Sequence, residues 1–127
     1  MSRRAALPGL FVAGLTGFLG IGLGAFGAHA LKGVLEIHHA REIWNTAVLY
    51  HLVHAPVLLW LAREHSVPRI PFLCFVFGIL LFSGSLYLLA VTGITWLGAV
   101  TPIGGLLLMA GWASIAWNGF RSESRAS

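Results

Sequence analysis

Apolar residues gather in this chain into four long runs, covering about residues 7–30, 43–62, 70–92 and 96–118, with short polar breaks between them. A helix rising 1.5 Å per residue needs about 20 residues to cross a hydrocarbon core roughly 30 Å thick. Each run reaches that length, so the pattern predicts an all-α fold: an integral membrane four-helix bundle, with residues 1–127 as a single transmembrane domain. Within the last run, Thr101 followed by Pro102 marks a helix start, because proline suits the first turn, where its missing N–H costs nothing.

Composition agrees with the pattern. Of 127 residues, 57% are hydrophobic and 9% charged, against roughly 25% charged in an ordinary soluble domain. A chain this short keeps much of its surface exposed, so the apolar excess has to face lipid. The charges then report orientation. Arg3, Arg4, Arg63, Arg69, Arg121 and Arg125 fall on one side of a four-span arrangement, and Lys32 and Arg41 on the other. The positive-inside bias puts both termini and the 63–69 loop in the cytoplasm, and the loop carrying His38 and His39 outside. The net charge of +4 and pI near 10.3 come from these flanking residues. A basic stripe interleaved with aromatics is missing, so no nucleic-acid partner is expected.

Ser2-Arg3-Arg4 and Ala28-His29-Ala30 resemble the two ends of a secretory signal. The apolar run between them exceeds the roughly 7–15 residues of a signal core and three more runs follow, so a retained first span is expected. The lone Cys74 has no partner for an intrachain disulfide.

The first run is rich in glycine. At 100° per residue Ala13, Gly17, Gly20, Gly24 and Gly27 share one narrow face, and Gly20 to Gly24 is a G-x-x-x-G pair. Such a face predicts close approach to another helix, and makes Gly17, Gly20, Gly24 and Gly27 the candidate contact with a second copy or another membrane protein. The stretch from Gly22 to Gly27 also matches G-x-G-x-x-G. It lacks the strand-turn-helix setting that a dinucleotide site needs, so close packing is the preferred account.

Candidate chemistry lies in the second run, where Ala47, Tyr50, His51 and His54 fall within one arc of about 100°. From a start near Ile43, the two histidines lie roughly 12–17 Å along the helix, close to mid-membrane. Intramembrane ionisable residues turn inward and often mark function. Two readings follow. In the first, neutral imidazoles bond to neighbouring helices, with Ser83, Ser85 and Tyr87 of the third run as partners. In the second, Tyr50, His51, His54, Ser83, Ser85 and Tyr87 line a ligand face, with His29, His51 and His54 as the candidate metal ligands. The first is preferred, because no carboxylate or thiol stands at a matching depth to build a metal set, and no cofactor is expected. His38 and His39 belong to the outer loop and are read as solvated.

The runs contain no Asp, Glu, Lys or Arg, which argues against an ion pump or an acidic proton relay. No serine or cysteine stands in a recognisable arrangement with histidine and carboxylate, so no enzyme is expected. A structural or binding bundle is the main expectation. Its alternative is a small carrier or binder of a small molecule, lipid or metal ion, in which Pro56 and Pro102-Ile103-Gly104-Gly105 free backbone carbonyls.

Several motifs occur in order: Gly24-Ala25-Phe26-Gly27-Ala28-His29, Tyr50-His51 with His54, Phe82-Ser83-Gly84-Ser85-Leu86-Tyr87, Thr101-Pro102-Ile103-Gly104-Gly105, and Gly111-Trp112. Through them the chain resembles the YgdD family of small membrane proteins. The resemblance touches all four runs and implies a four-helix membrane fold in the bacterial inner membrane, with relatives in mitochondria and no assigned activity. It also implies that the position of His51 accepts glutamine, which suits a hydrogen-bonding side chain better than a metal ligand.

Overall fold

The computed structural model describes residues 3–65 and 67–126, with the backbone alone over residues 3–7. Five α-helices follow one another: α1 (Arg3–Ala28), α2 (Lys32–Ile37), α3 (Arg41–Arg63), α4 (Arg69–Thr92) and α5 (Thr101–Ala126), with a 3-10 turn at Thr95–Ala99 ahead of α5. Helices α1, α3, α4 and α5 are long and apolar enough to cross a membrane. In lipid a spanning segment has to satisfy its backbone internally, and the helix does so.

The bundle is open. Helix α1 packs on α3, α3 on α4, and α4 on α5; among the described residues no Cα pair within 8 Å joins α1 to α4, α1 to α5, or α3 to α5. Two apolar clusters hold the row together. One joins Ala13, Leu58, Leu61, Phe75, Ile79 and Leu108 from all four long helices. The other joins Leu35, Ala40, Trp44 and Ala90 at the opposite end.

Glycine sets the spacing at two seams. Along α1, a Cβ on Gly9 would face Ala62, on Gly17 Ala55, on Gly20 Leu52, on Gly24 Val48 and on Gly27 Trp44, which is one antiparallel register with α3. The face predicted from the glycine stripe is therefore filled by α3 of the same chain. Gly17, Gly20, Gly24 and Gly27 make an intramolecular seam with α3. The α4–α5 seam was not foreseen. Gly104, Leu108 and Gly111 recur at helical spacing, and a Cβ at Gly104 would overlap the Phe82 backbone. The Pro102-Gly105 stretch lies in the first turns of a continuous helix, where Gly104 serves close approach to α4.

The polar stretch after α1 also holds structure. Helix α2 buries Leu35 at 2% exposure among Ala40, Trp44 and Ala90. It ends with the Ala40 N–H donating to the Leu35 carbonyl at 2.8 Å and that of His39 to the Glu36 carbonyl at 3.2 Å. These are the two bonds of a Schellman ending, with His39 at φ 49° in the left-handed position that glycine usually fills. Helix α4 ends on Gly93 at φ 71°, whose N–H donates to the Leu89 carbonyl.

Candidate functional site: the intramembrane histidines

His51 and His54 are both buried, at 6% and 5% exposure, on the face of α3 that meets its neighbours. The Nε2 atom of His51 lies 2.9 Å from the Thr16 carbonyl oxygen and its Nδ1 lies 3.0 Å from the Tyr87 hydroxyl. A carbonyl can only accept, so Nε2 carries the proton and donates to Thr16, while Nδ1 accepts from the Tyr87 O–H. His54 takes the opposite tautomer. Its Nδ1 donates to the Tyr50 carbonyl at 2.7 Å, and its Nε2 accepts from the Trp112 indole N–H at 3.1 Å.

All four ring nitrogens are thus occupied in two neutral imidazoles. The bonds serve different seams: His51 ties α1, α3 and α4 together, whereas His54 reaches across to α5, with its ring centroid 5.3 Å from Phe75 and 6.1 Å from Trp112. Ser83 donates to the Ala47 carbonyl at 2.8 Å, and Ser85 meets the Thr101 hydroxyl at 2.7 Å. Among the described residues no buried side-chain nitrogen or oxygen lacks a partner.

The six residues expected to share a ligand face are therefore distributed. His51 and Tyr87 are joined directly, His54 belongs to a second network, and Ser83 and Ser85 bond at other points of α4. Tyr50 supplies its carbonyl to His54, while its 41% exposed ring lies against Phe82 at 4.5 Å. The candidate metal set is separated as well. His29 is exposed in the turn after α1, 13 residues beyond the Thr16 carbonyl that His51 holds, or roughly 20 Å of helix length. Among the described residues no three His, Cys, Asp or Glu come together as a metal set.

Two tryptophans escaped the sequence reading. Trp112 satisfies His54, and Trp44 donates its indole N–H to the Leu23 carbonyl at 3.0 Å. The second bond shares a device with His51. Each acceptor carbonyl, Thr16 and Leu23, is followed four residues later by a buried glycine, Gly20 or Gly27. A Cβ at Gly27 would overlap the Trp44 ring, and one at Gly20 would crowd His51 Cδ2 at 3.3 Å. The missing side chain opens the carbonyl to a second donor. A glycine four residues after a carbonyl, opposite a tryptophan or histidine, was the available signal.

Comparison with known proteins places this geometry. Residues 23–105, which carry His51 with its Tyr87 partner and the Trp44–Leu23 bond, match the family described as "Protein of unknown function (DUF423)". The chain is 42% identical to UPF0382 membrane protein YwdK of Bacillus subtilis over 113 residues, 84% of this chain and 90% of that one. It is 39% identical to a UPF0382 membrane protein of Haemophilus influenzae, over 91% of this chain and 95% of the relative. A fission yeast relative, UPF0382 membrane protein C1782.12c of Schizosaccharomyces pombe, is 37% identical over 82% of this chain and 94% of its own. No solved structure matches significantly. With four membrane-length helices and relatives of the same kind along nearly their whole length, the chain is a multi-pass membrane protein that belongs to the DUF423 family of unknown function.

Proposed function

We propose that this chain is a non-enzymatic bundle of the bacterial plasma membrane, with both termini and the 63–69 loop in the cytoplasm, whose intramembrane histidines fasten its helices to one another. One observation carries the reading: every nitrogen of His51 and His54 is already bonded within the chain. An imidazole whose lone pair accepts from tyrosine or tryptophan has none to give a metal, and one whose N–H holds a backbone carbonyl has no proton to relay without breaking a helix contact. The likeness to the YgdD family through Gly24–His29 and Phe82–Tyr87 supports the same location, and the six arginines on one side support the orientation.

The test is substitution by a hydrogen-bonding isostere. Glutamine at position 51 can donate its amide to Thr16 and accept from Tyr87, so His51→Gln keeps most of the stability that His51→Ala loses, while metal content stays below stoichiometric in the wild type and both variants. A stoichiometric metal or a Soret band that disappears in His51→Gln overturns the reading. Reporters fused after Arg125 and near Arg63 are expected to behave as cytoplasmic, and one near His38 as external. An external C-terminus overturns the orientation.

A further inference from the structure

A cavity of about 430 Å³ opens at the arginine-rich end of the bundle, away from the histidines. Its walls are Val12 of α1, Leu61 of α3, and Phe72 and Leu73 of α4; its rim carries His65, Glu64 and Arg69. The volume lies in the range of sites that take one small ligand, roughly 300–1,000 Å³. Its position follows from the open packing. Helices α1 and α4 both lie on α3 without approaching each other within 8 Å between Cα atoms, so a slot remains between them, floored by the last turns of α3.

The slot has the polarity of an amphiphile. Its walls sit at the end of the apolar spans, and the cationic side chains stand where α3 ends at Arg63 and α4 begins at Arg69, the level at which lipid headgroups lie. Both guanidinium residues are exposed, and among the described residues neither forms an ion pair; α1 brings Arg3 and Arg4 to the same end in sequence. Glu64 on the rim offsets one of these charges and leaves the end net positive. Clustered Arg beside a span attracts acidic headgroups, while an apolar wall takes an acyl chain.

We propose that this slot is a binding site for an acidic phospholipid, one acyl chain lodged between α1 and α4 against Val12, Phe72 and Leu73, and the headgroup phosphate held by Arg69 and His65. The site is separate from the histidine networks, and stands or falls independently of them.

The experiment uses the full chain in nanodiscs of equal phosphatidylglycerol and phosphatidylcholine, released into mild detergent and read by native mass spectrometry. The wild type retains phosphatidylglycerol in preference to phosphatidylcholine. Arg69→Gln lowers that preference on the order of fivefold, the weight of one basic residue at a charged surface. Arg121→Gln, on the same side but outside the cavity, leaves it within twofold. Leu73→Trp, which fills the slot without changing charge, lowers retention of both lipids, and thermal melting shows each variant folded. Should Arg69→Gln fail to fold, Leu73→Trp decides. Equal retention of the two lipids, equal loss in Arg69→Gln and Arg121→Gln, wild-type retention in folded Leu73→Trp, or displacement of the lipid by millimolar inorganic phosphate would each overturn the proposal.

Discussion

Gly104 and Gly105 are neighbours in α5, and adding one methyl group to each is expected to move stability in opposite directions. A Cβ on Gly104 would lie 2.7 Å from Phe82 Cα and 2.8 Å from the Leu81 carbonyl carbon. Carbon atoms in contact prefer about 3.5–4.0 Å, and the obstacle is backbone, which no rotamer change relieves. Gly104→Ala therefore has to separate α5 from α4 by on the order of 1 Å. That displacement loosens the contact of Leu108 with Gly78 and of Phe75 with Gly111, and pulls Ser85 from Thr101 and Trp112 from His54. Overpacking of this kind costs about 1–3 kcal/mol, and the gain from alanine's better helix propensity, at most about 1 kcal/mol, only partly offsets it. At Gly105 the same methyl would meet the Phe82 ring at 3.6 Å, an ordinary contact. Gly105→Ala keeps the propensity gain and is expected to be neutral to about 1 kcal/mol stabilising. Thermal melting of wild type and both variants in one detergent measures the difference. Equal melting temperatures, or Gly104→Ala at or above wild type, refute the claim that backbone contact at Phe82 sets the α4–α5 distance.

Three further outcomes rest on the same geometry and the same melting assay. His54→Ala, which leaves the Trp112 N–H without its acceptor and takes the imidazole donor from the Tyr50 carbonyl, is expected to lose about 1–3 kcal/mol, while His38→Ala in the exposed turn stays within about 0.5 kcal/mol; an equal loss in both would count against the fastening role. Gly27→Ala has to expel the Trp44 indole from the Leu23 carbonyl and destabilise the protein, whereas Gly22→Ala, with nothing within 4 Å of its Cβ, is tolerated; the reverse order would deny that α1 meets α3 through this face. His39→Gly relieves a left-handed residue and is expected to stabilise by up to about 1 kcal/mol, and a clear loss would mean that the His39 side chain has work of its own.

How far the sequence reached is clearest in α1. Residue spacing alone put Ala13, Gly17, Gly20, Gly24 and Gly27 on one face and predicted close contact there, because an α-helix has a single period and small residues are the ones that let backbones meet in lipid. Membrane length, the helix start at Thr101-Pro102 and the inward turn of His51 and His54 were legible for the same reason: each depends on one segment and its solvent. Which helix fills a face is a different matter. Lipid tails are as apolar as leucine, so no hydrophobic difference selects α3 over a second copy as the neighbour of the glycine stripe; shape and hydrogen bonds select it, and those belong to two helices at once. The same limit concealed the α4–α5 seam, since Gly104 closes on the Phe82 backbone, and nothing in the Pro102-Gly105 string distinguishes that from a kink. It also explains why one polar face became two networks. An arc of about 100° on α3 is wide enough to touch more than one neighbour, so His51 bonds to α1 and α4 while His54, three residues on, is turned to α5. Periodicity supplied the faces of this protein, and the packing of helix against helix decided what each face holds.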